Sequence, residues 1–376
     1  MKIVKKRCTV ITRKGDNLQP VLTYKGQILM KLLVLVIIGV VLVAQAEEGL
    51  SQESRKPGPY IIPIDYDALY KMEKPPDYKP FEVYGMFLLS VAAQQSPFVF
   101  NPWMSVPENV TQAADVIFKE VDGTKLGVDV YWPKGDKTPN PLILVIHGGY
   151  WKSGDKAIHV QQGVEFAELG YTVAAMNYRL SADHKFPANI EDIYDCIKYL
   201  TKHAAKFNID PDRIVTYGGS AGGHLSAFIG LAANTKGRSY NAGINADAIK
   251  GVITIYGMHD LTMHIQKEHP YTLQYIGKTF KEASAKYRDA SPIYHVDRND
   301  PPVLLIHGSL DGSVSVKNSD ALSEMLNEFG VTYTYDRVKG WPHGMDFFSP
   351  IGERTLWHIY QFLKTNMPSD QMNKSK

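Results

Sequence analysis

The chain has 376 residues, of which 44% are hydrophobic and 21% are charged. This composition is typical of a globular protein and excludes collagen-like, coiled-coil and wholly disordered chains. The two cysteines, Cys8 and Cys196, are too few for a disulfide framework or a thiolate zinc site. Eight of the 41 basic residues lie within residues 1–46, which leaves 33 basic and 38 acidic residues in the rest. A mildly acidic body without basic runs argues against nucleic acid as a partner.

The first 46 residues match the pattern of a secretory signal peptide. Thirteen uncharged residues at 32–44 follow Lys31, and Ala-Gln-Ala at 44–46 gives a small-x-small cleavage site before Glu47. The run is shorter than the ~18 residues needed to cross a bilayer, so we expect cleavage and secretion without a stable membrane span. Met30 begins a complete signal by itself, so residues 1–29 are interpreted as an over-extended start. An uncleaved anchor with a lumenal body is the alternative.

Residues 47–113 are expected to form a lead-in segment in two parts. Residues 47–80 are rich in Pro, Lys, Glu and Asp, which predicts an extended stretch with little core of its own. Residues 81–103 are apolar and aromatic. This pattern predicts a helix packed over the body, with a lid above a pocket as the alternative.

From residue 114 onward, short β-branched runs alternate with amphipathic helical patterns. The predicted strands are DVIFKEV, LGVDVYW, LILVIHG, YTVAAMNY, RIVTYGG, GVITIYG, PVLLIHG and VTYTYDRV. The alternation predicts an α/β fold with a doubly wound, mostly parallel sheet, and the first two strands, with no helix between them, predict an antiparallel edge. We assign residues 114–366 to this domain, with a cap insertion near 258–290, and residues 367–376 to a C-terminal tail.

The motif GGSAG at 218–222 stands between a predicted strand and a predicted helix. A serine on such a turn must adopt a strained backbone, which glycines two residues away on either side permit. The turn would lift the hydroxyl above the sheet edge and aim the helix N-terminus at it. We therefore predict that Ser220 is a nucleophile; a structural turn that merely contains serine is the alternative.

A serine hydroxyl is a weak nucleophile, so it needs a base, and the base needs an acid to orient it. In doubly wound hydrolases these residues follow the serine in the order acid, then histidine, on loops at strand carboxyl ends. Asp311 follows PVLLIHG and His343 follows VTYTYDRV, so we predict them as acid and base. Asp260, after GVITIYG, is the rival acid. We expect His307 to anchor a loop and His358, inside the last helix, to take no part.

The motif HGGYW at 147–151 follows the strand LILVI. Two glycines after a strand let backbone N–H groups turn toward the serine loop, where negative charge develops on the carbonyl oxygen during acyl transfer. We predict that the N–H groups of Gly148, Gly149 and Ala221 form this oxyanion hole. The histidine of the motif is expected to hold the loop, and its tyrosine and tryptophan are candidates for lining the acyl or alcohol pocket.

Three histidines, His259, His264 and His269, are the candidates for a metal site. Their spacing of five places them on different helix faces, and neither an H-E-x-x-H motif nor a cysteine ligand accompanies them. The sequence also contains no G-x-G-x-x-G or Walker loop. We therefore expect no metal and no cofactor.

Seven motifs together resemble a known superfamily. They are HGGYW (147–151), NYRL (177–180), FPANIEDI (186–193), NIDPDRIVTYGGSAGGH (208–224), SPIYHV (291–296), PPVLLIHGSLD (301–311) and HG (343–344). In these motifs the chain resembles the α/β-hydrolases, specifically the esterase and lipase group related to hormone-sensitive lipase and the feruloyl-esterase-like (BD-FAE) hydrolases. The form H-G-G-x-W is more similar to feruloyl-esterase-like proteins and kynurenine formamidases than to the H-G-G-G of many lipases.

The resemblance implies an α/β-hydrolase fold and a serine hydrolase that cleaves small carboxylic esters through an acyl-enzyme. An arylformamidase or other amidase with the same three residues is one alternative. A non-catalytic binding protein that keeps the fold is another. The natural substrate and the oligomeric state are left open.

Overall fold

The computed structural model describes residues 64–93, 95–235, 237 and 239–374. The expected signal peptide, the candidate start at Met30 and residues 47–63 of the lead-in segment lie outside the described residues. Among the helices that the structure describes, none combines the length and the apolar character needed to cross a membrane.

Eight strands form a single sheet in the order β1-β2-β4-β3-β5-β6-β7-β8. The strands are β1 (Val110–Val121), β2 (Thr124–Pro133), β3 (Asn140–Ile146), β4 (Thr172–Met176), β5 (Ile209–Gly219), β6 (Ile249–Ile255), β7 (Val303–Gly308) and β8 (Tyr333–Val338). β2 pairs antiparallel with both β1 and β4, and the remaining neighbours are parallel. Asp122 and Gly123 join β1 to β2 with φ of 49° and 74°, as a two-residue hairpin turn requires. The predicted mostly parallel sheet with an antiparallel edge is confirmed.

Helices cover both faces of this sheet. They are α1 (Tyr66–Lys71), α2 (Tyr84–Ala92), α3 (Val160–Glu168), α4 (Ala188–Lys202), α5 (Ala221–Leu231), α6 (His264–Lys267), α7 (Pro270–Ile276), α8 (Phe280–Asp289), α9 (Lys317–Phe329), α10 (Ile351–Asn366) and α11 (Asp370–Lys374). Along β3, Leu142 and Leu144 pack with α4 and α5, whereas Ile143 and Val145 pack with α3 and α10. Because successive side chains of a strand point to opposite faces, this alternation explains why the buried strands read as unbroken apolar runs.

Two groups of helices lie outside the strand–helix alternation. α1 and α2 come from the lead-in segment, and Phe87 of α2 is buried in the core on the face covered by α3 and α10. The packed helix expected within residues 81–103 is therefore observed. α6, α7 and α8 follow one another between β6 and β7, in the stretch where the cap insertion is expected.

Candidate active site

Ser220 occupies a strained turn between β5 and α5, with φ of 58° and ψ of −121°. A side chain other than glycine rarely adopts a positive φ, so the surrounding structure must hold this conformation. The N–H of Ser220 donates to the carbonyl of Ile255 at 2.9 Å, and the N–H of His224 donates to the carbonyl of Ser220 at 3.0 Å. One bond ties the turn to β6 and the other starts the helix, so the hydroxyl is held at the sheet edge.

Close backbone packing around Ser220 leaves room only for glycine at positions 218 and 222. A Cβ on Gly222 would lie 2.0 Å from the carbonyl oxygen of Ile146, and a Cβ on Gly218 would lie 2.4 Å from the backbone of Gly222. Real Cβ contacts are never this short, so the close approach of β3, β5 and α5 excludes any larger residue at both positions.

The structure brings the hydroxyl of Ser220, the imidazole of His343 and the carboxylate of Asp311 into one hydrogen-bonded line. Nε2 of His343 lies 3.0 Å from Oγ of Ser220, and Nδ1 lies 2.6 Å from Oδ2 of Asp311. The three residues come from the loops after β5, β8 and β7, whose parallel carboxyl ends meet at one edge of the sheet. This is the geometry in which an imidazole can take a proton from a hydroxyl while a carboxylate orients it.

The side chain of Asp311 is wholly buried, and both of its carboxylate oxygens accept hydrogen bonds. Oδ1 accepts from the N–H groups of Ser313 and Val314, both at 2.8 Å, and Oδ2 also lies 3.2 Å from Nε2 of His307. Burial by itself would raise the pKa of Asp311, but the charges and hydrogen bonds of His343 and His307 outweigh it and hold the pKa well below the usual range. The carboxylate is therefore ionised, and His307 anchors its loop as predicted.

Asp260, the alternative candidate for the acid, stabilises a local turn instead. Its Oδ1 accepts from the N–H of Thr262 at 2.8 Å and from its hydroxyl at 2.6 Å. These bonds close a local turn at the start of the segment that leads to α6. Among the described residues, the carboxylate of Asp260 has no hydrogen bond to a histidine. His358, which we expected to take no part as a base, lies in α10 beside Asp336.

Two of the three predicted oxyanion donors, Gly148 and Ala221, lie beside the Ser220 turn. A Cβ on Gly148 would lie 3.0 Å from the carbonyl of Gly219 and 3.4 Å from Cβ of Ser220, so the loop after β3 lies directly against the serine. Gly149 has φ of 109°, and Ala221 is the first residue of α5. Within the described part of the chain, the N–H groups of Gly148, Gly149 and Ala221 donate to no backbone carbonyl. Unused donors at a helix N-terminus favour an anionic oxygen.

The two aromatic residues of the HGGYW motif have separate roles. Trp151 is wholly buried, donates from Nε1 to Nδ1 of His224 at 3.1 Å, and stacks on Tyr275 with ring centroids 4.3 Å apart. The expectation that it lines a pocket is wrong, because it ties the loop to α5 and α7 instead. Tyr150 is partly exposed and stacks against His269, with centroids 5.5 Å apart and rings 3° from parallel.

Sequence reasoning missed two residues beneath the site. The ring of Tyr256 lies 4.4 Å from that of His343, and its hydroxyl donates to Oδ1 of Asp346 at 2.5 Å. Tyr256 has φ of 42°, and burial raises the pKa of both Asp346 and Tyr256. The signal was weak, because a tyrosine after an apolar strand looks like any core aromatic.

No three His, Cys, Asp or Glu side chains within the described ranges gather closely enough to hold a metal ion. The three candidate histidines have different surroundings: burial lowers the pKa of His259, His264 is exposed beside Glu268, and His269 accepts from the N–H of Tyr271 at 3.3 Å to cap α7.

Comparison with known proteins places the chain in a family. Residues 128–326, more than half of the chain, match the BD-FAE family model. Esterase LipC of Mycobacterium tuberculosis is 31% identical over 237 residues, which are 61% of this chain and 58% of LipC. LipM of the same species, a probable carboxylic ester hydrolase, is 31% identical over 233 residues, which are 59% of this chain and 54% of LipM. The chain thus spans little more than half of these two relatives.

Solved structures show the same architecture. A truncated form of a carbohydrate esterase from gut microbiota is 27% identical with a TM-score of 0.61, over 70% of this chain and 100% of that one. Butyrate-bound esterase 2 of Thermogutta terrifontis is 24% identical with a TM-score of 0.59, over 70% and 97% of the two chains, and it supports the fold alone. With the family match and the eight-stranded sheet, these likenesses establish that the chain belongs to the BD-FAE family, in the esterase and lipase group of the α/β-hydrolases.

Proposed function

We propose that this protein is a carboxylic ester hydrolase that cleaves small esters through a covalent acyl-enzyme, with Ser220 as its nucleophile. The observation that carries the proposal is the hydrogen-bonded line from Ser220 through His343 to Asp311, with contacts of 3.0 and 2.6 Å. The esterase names of its relatives at 31% identity support the bond type.

The first half of the reaction forms the acyl-enzyme. Oγ of Ser220 attacks the ester carbonyl carbon while Nε2 of His343 takes the hydroxyl proton. Asp311 keeps the proton on Nδ1 and stabilises the imidazolium cation that forms. The N–H groups of Gly148, Gly149 and Ala221 hold the negative oxygen of the tetrahedral intermediate. Collapse breaks the bond to the alcohol, which leaves with the proton from Nε2.

The second half hydrolyses the acyl-enzyme. A water molecule gives its proton to Nε2 of His343 and attacks the acyl carbon through the same oxyanion geometry. The bond to Oγ of Ser220 breaks, the serine regains its proton from the imidazolium, and the carboxylic acid leaves. Each half moves one proton onto Nε2 of His343 and off again, first to the alcohol and then to Ser220, so the protein is unchanged after a turnover.

A substrate panel tests this proposal. Hydrolysis of p-nitrophenyl esters of increasing acyl length, methyl ferulate and N-formylkynurenine is measured for the wild type, Ser220→Ala and Ser284→Ala. Ser284 is an exposed serine of α8 and serves as the matched control. Ester turnover in the wild type and the control, with a loss of about 10³-fold or more in Ser220→Ala, supports the proposal.

Three results, one from fluorophosphonate labelling and two from the panel, contradict the proposal. Labelling by a fluorophosphonate that persists in Ser220→Ala would remove this serine as the nucleophile. Turnover of the formamide about tenfold or more above every ester would replace the esterase by an amidase. A folded wild type that turns over no substrate of the panel would favour the binding protein.

We further propose that the protein is secreted, on the strength of the apolar run at 32–44 and the cleavage pattern that ends it. N-terminal sequencing of protein recovered from the medium should begin at Glu47. Recovery only in a carbonate-washed membrane pellet would instead demonstrate an anchor.

A further inference from the structure

Residues 64–93 and 95–104, here called the N-terminal strap, precede the family-matched residues 128–326. The strap lies against residues 339–350, here called the base loop, which joins β8 to α10 and includes His343. Only a short 3₁₀ turn at Met345–Phe347 gives the base loop regular structure of its own. Its position therefore depends on what packs against it.

The strap contacts the base loop on the near side of His343 through backbone and side chain. The hydrogen bonds are Phe81 N–H to Gly340 O at 3.2 Å, Trp341 Nε1–H to Lys79 O at 3.1 Å, and Lys339 N–H to the Tyr78 hydroxyl at 2.9 Å. A Cβ on Gly340 would lie 2.4 Å from the backbone of Phe81. The two backbones therefore touch, with no room for a side chain at residue 340.

The strap also contacts the base loop on the far side of His343. The N–H of Val99 donates to the carbonyl of Phe347 at 2.9 Å, and the N–H of Ser349 donates to the carbonyl of Pro97 at 2.9 Å. These two bonds form an antiparallel bridge. The base loop is thus held at both ends by one segment from the N-terminal side of the chain.

Phe87 of α2 joins the two sets of contacts. Its ring lies edge-on to Trp341, with centroids 5.5 Å apart, and to Phe348, with centroids 5.2 Å apart. The carbonyl of Trp341 in turn accepts from the N–H of Leu310 at 2.9 Å, next to Asp311. A single buried side chain therefore touches both ends of the loop that holds the base, and through Trp341 it is linked to the loop that holds the acid.

We propose that the N-terminal strap positions His343, so that Nε2 stays in reach of the Ser220 hydroxyl. This inference rests on the proposed function. A reacting group displaced by about 1 Å can lose roughly 10²-fold in rate. Loosening the strap should therefore slow the proton transfer more than it weakens substrate binding, because none of the strap contacts described above involves Ser220 or the oxyanion donors.

The test compares Phe87→Ala with Tyr70→Ala in the full chain. Tyr70 is a matched control, since it is a strap aromatic that stacks on Tyr360 of α10, with centroids 4.2 Å apart, instead of on the base loop. Each variant is assayed with p-nitrophenyl butyrate at the same interval below its own Tm. We expect kcat to fall about 10- to 100-fold in Phe87→Ala with KM within about twofold, and to stay within about twofold in Tyr70→Ala.

Rescue and a minimal change complete the experiment. Phe87→Leu, which refills the space, should recover most of kcat. If Phe87→Ala does not fold, Tyr78→Phe decides, because it removes only the acceptor of Lys339 N–H; we expect kcat to fall about threefold or more with KM unchanged. A kcat equal to that of the wild type in the variant that folds, or an equal loss in Tyr70→Ala, overturns the inference. An inactive wild type overturns the proposed function instead.

Discussion

Asp311 and Asp260 follow the neighbouring parallel strands β7 and β6, so their replacement by asparagine forms a matched pair of perturbations. Asparagine keeps the shape of aspartate and removes its charge. At position 311, Oδ1 accepts two backbone N–H groups at 2.8 Å, and Oδ2 lies 2.6 Å from Nδ1 of His343. The oxygen of the new amide must stay on the two backbone donors, because its NH₂ group would face them unfavourably. The NH₂ group is therefore directed at His343.

This orientation puts the imidazole in the wrong tautomer. Nδ1 of His343 must accept from the NH₂ group, so the proton moves to Nε2, which can no longer take the proton of Ser220. The buried negative charge that stabilises the imidazolium is lost as well. In serine proteases the same exchange lowers kcat about 10⁴-fold, or about 5 kcal/mol of transition-state stabilisation. We expect a loss of that order in Asp311→Asn, with little change in KM.

Asp260→Asn should behave quite differently. The two bonds that Asp260 accepts from Thr262 can both be accepted by an amide oxygen. We expect kcat within about threefold of the wild type and stability within about 1 kcal/mol. Steady-state kinetics with p-nitrophenyl butyrate and thermal melts measure both variants. The assignment of the acid is refuted if Asp260→Asn is the more damaging to kcat, or if Asp311→Asn keeps more than about a tenth of the turnover.

Three further predictions concern stability. Burial raises the pKa of Glu165 from 4.5 to about 7, so ionisation of this side chain opposes folding. The penalty is complete above about pH 7, declines as the pH falls from 7 to 4.5, and is absent at lower pH. Glu165→Gln should therefore gain up to roughly 3 kcal/mol in urea melts near pH 8 and nothing near pH 4; an equal effect at both would contradict the burial argument. Gly222→Ala should cost more than about 2 kcal/mol, against less than about 0.5 for Gly312→Ala, whose Cβ would meet nothing within 4 Å; equal melts would contradict this. Tyr256→Phe should cost about 1–3 kcal/mol in thermal melts, because the partly buried Asp346 loses its donor; an unchanged Tm would mean that the bond contributes nothing.

The sheet and the serine turn could be predicted because short stretches of sequence encode them. Apolar runs with helical stripes between them specify covered parallel strands. The spacing of Gly218 and Gly222 around Ser220 reflects clashes that arise within one strand–turn–helix unit and the strand beside it. The fold family's chain order then singled out Asp311 and His343 among several acids and histidines. Each of these signals lies either within a short stretch of sequence or in the order of residues along the chain.

The residues that escaped prediction are those whose partners are distant in sequence. In the sequence, Trp151 is a candidate for lining a pocket. The structure shows instead that it is buried against His224 and Tyr275. Tyr256 gains its significance only from the ring of His343 above it. Contacts of this kind leave no periodicity in either segment, so a pattern along the chain cannot reveal them.

Of the three proposed catalytic residues, His343 depends most on contacts that are distant in sequence. The family match ends at residue 326, so it includes Ser220 and Asp311 but neither His343 nor the base loop. A serine held by its own strained turn needs little further support, whereas a histidine on an irregular loop is only as well placed as the surfaces around that loop. Here one of those surfaces is the N-terminal strap, with Phe87 between Trp341 and Phe348. We therefore expect that substitutions in a segment outside the family match can lower kcat although they lie away from the reacting atoms.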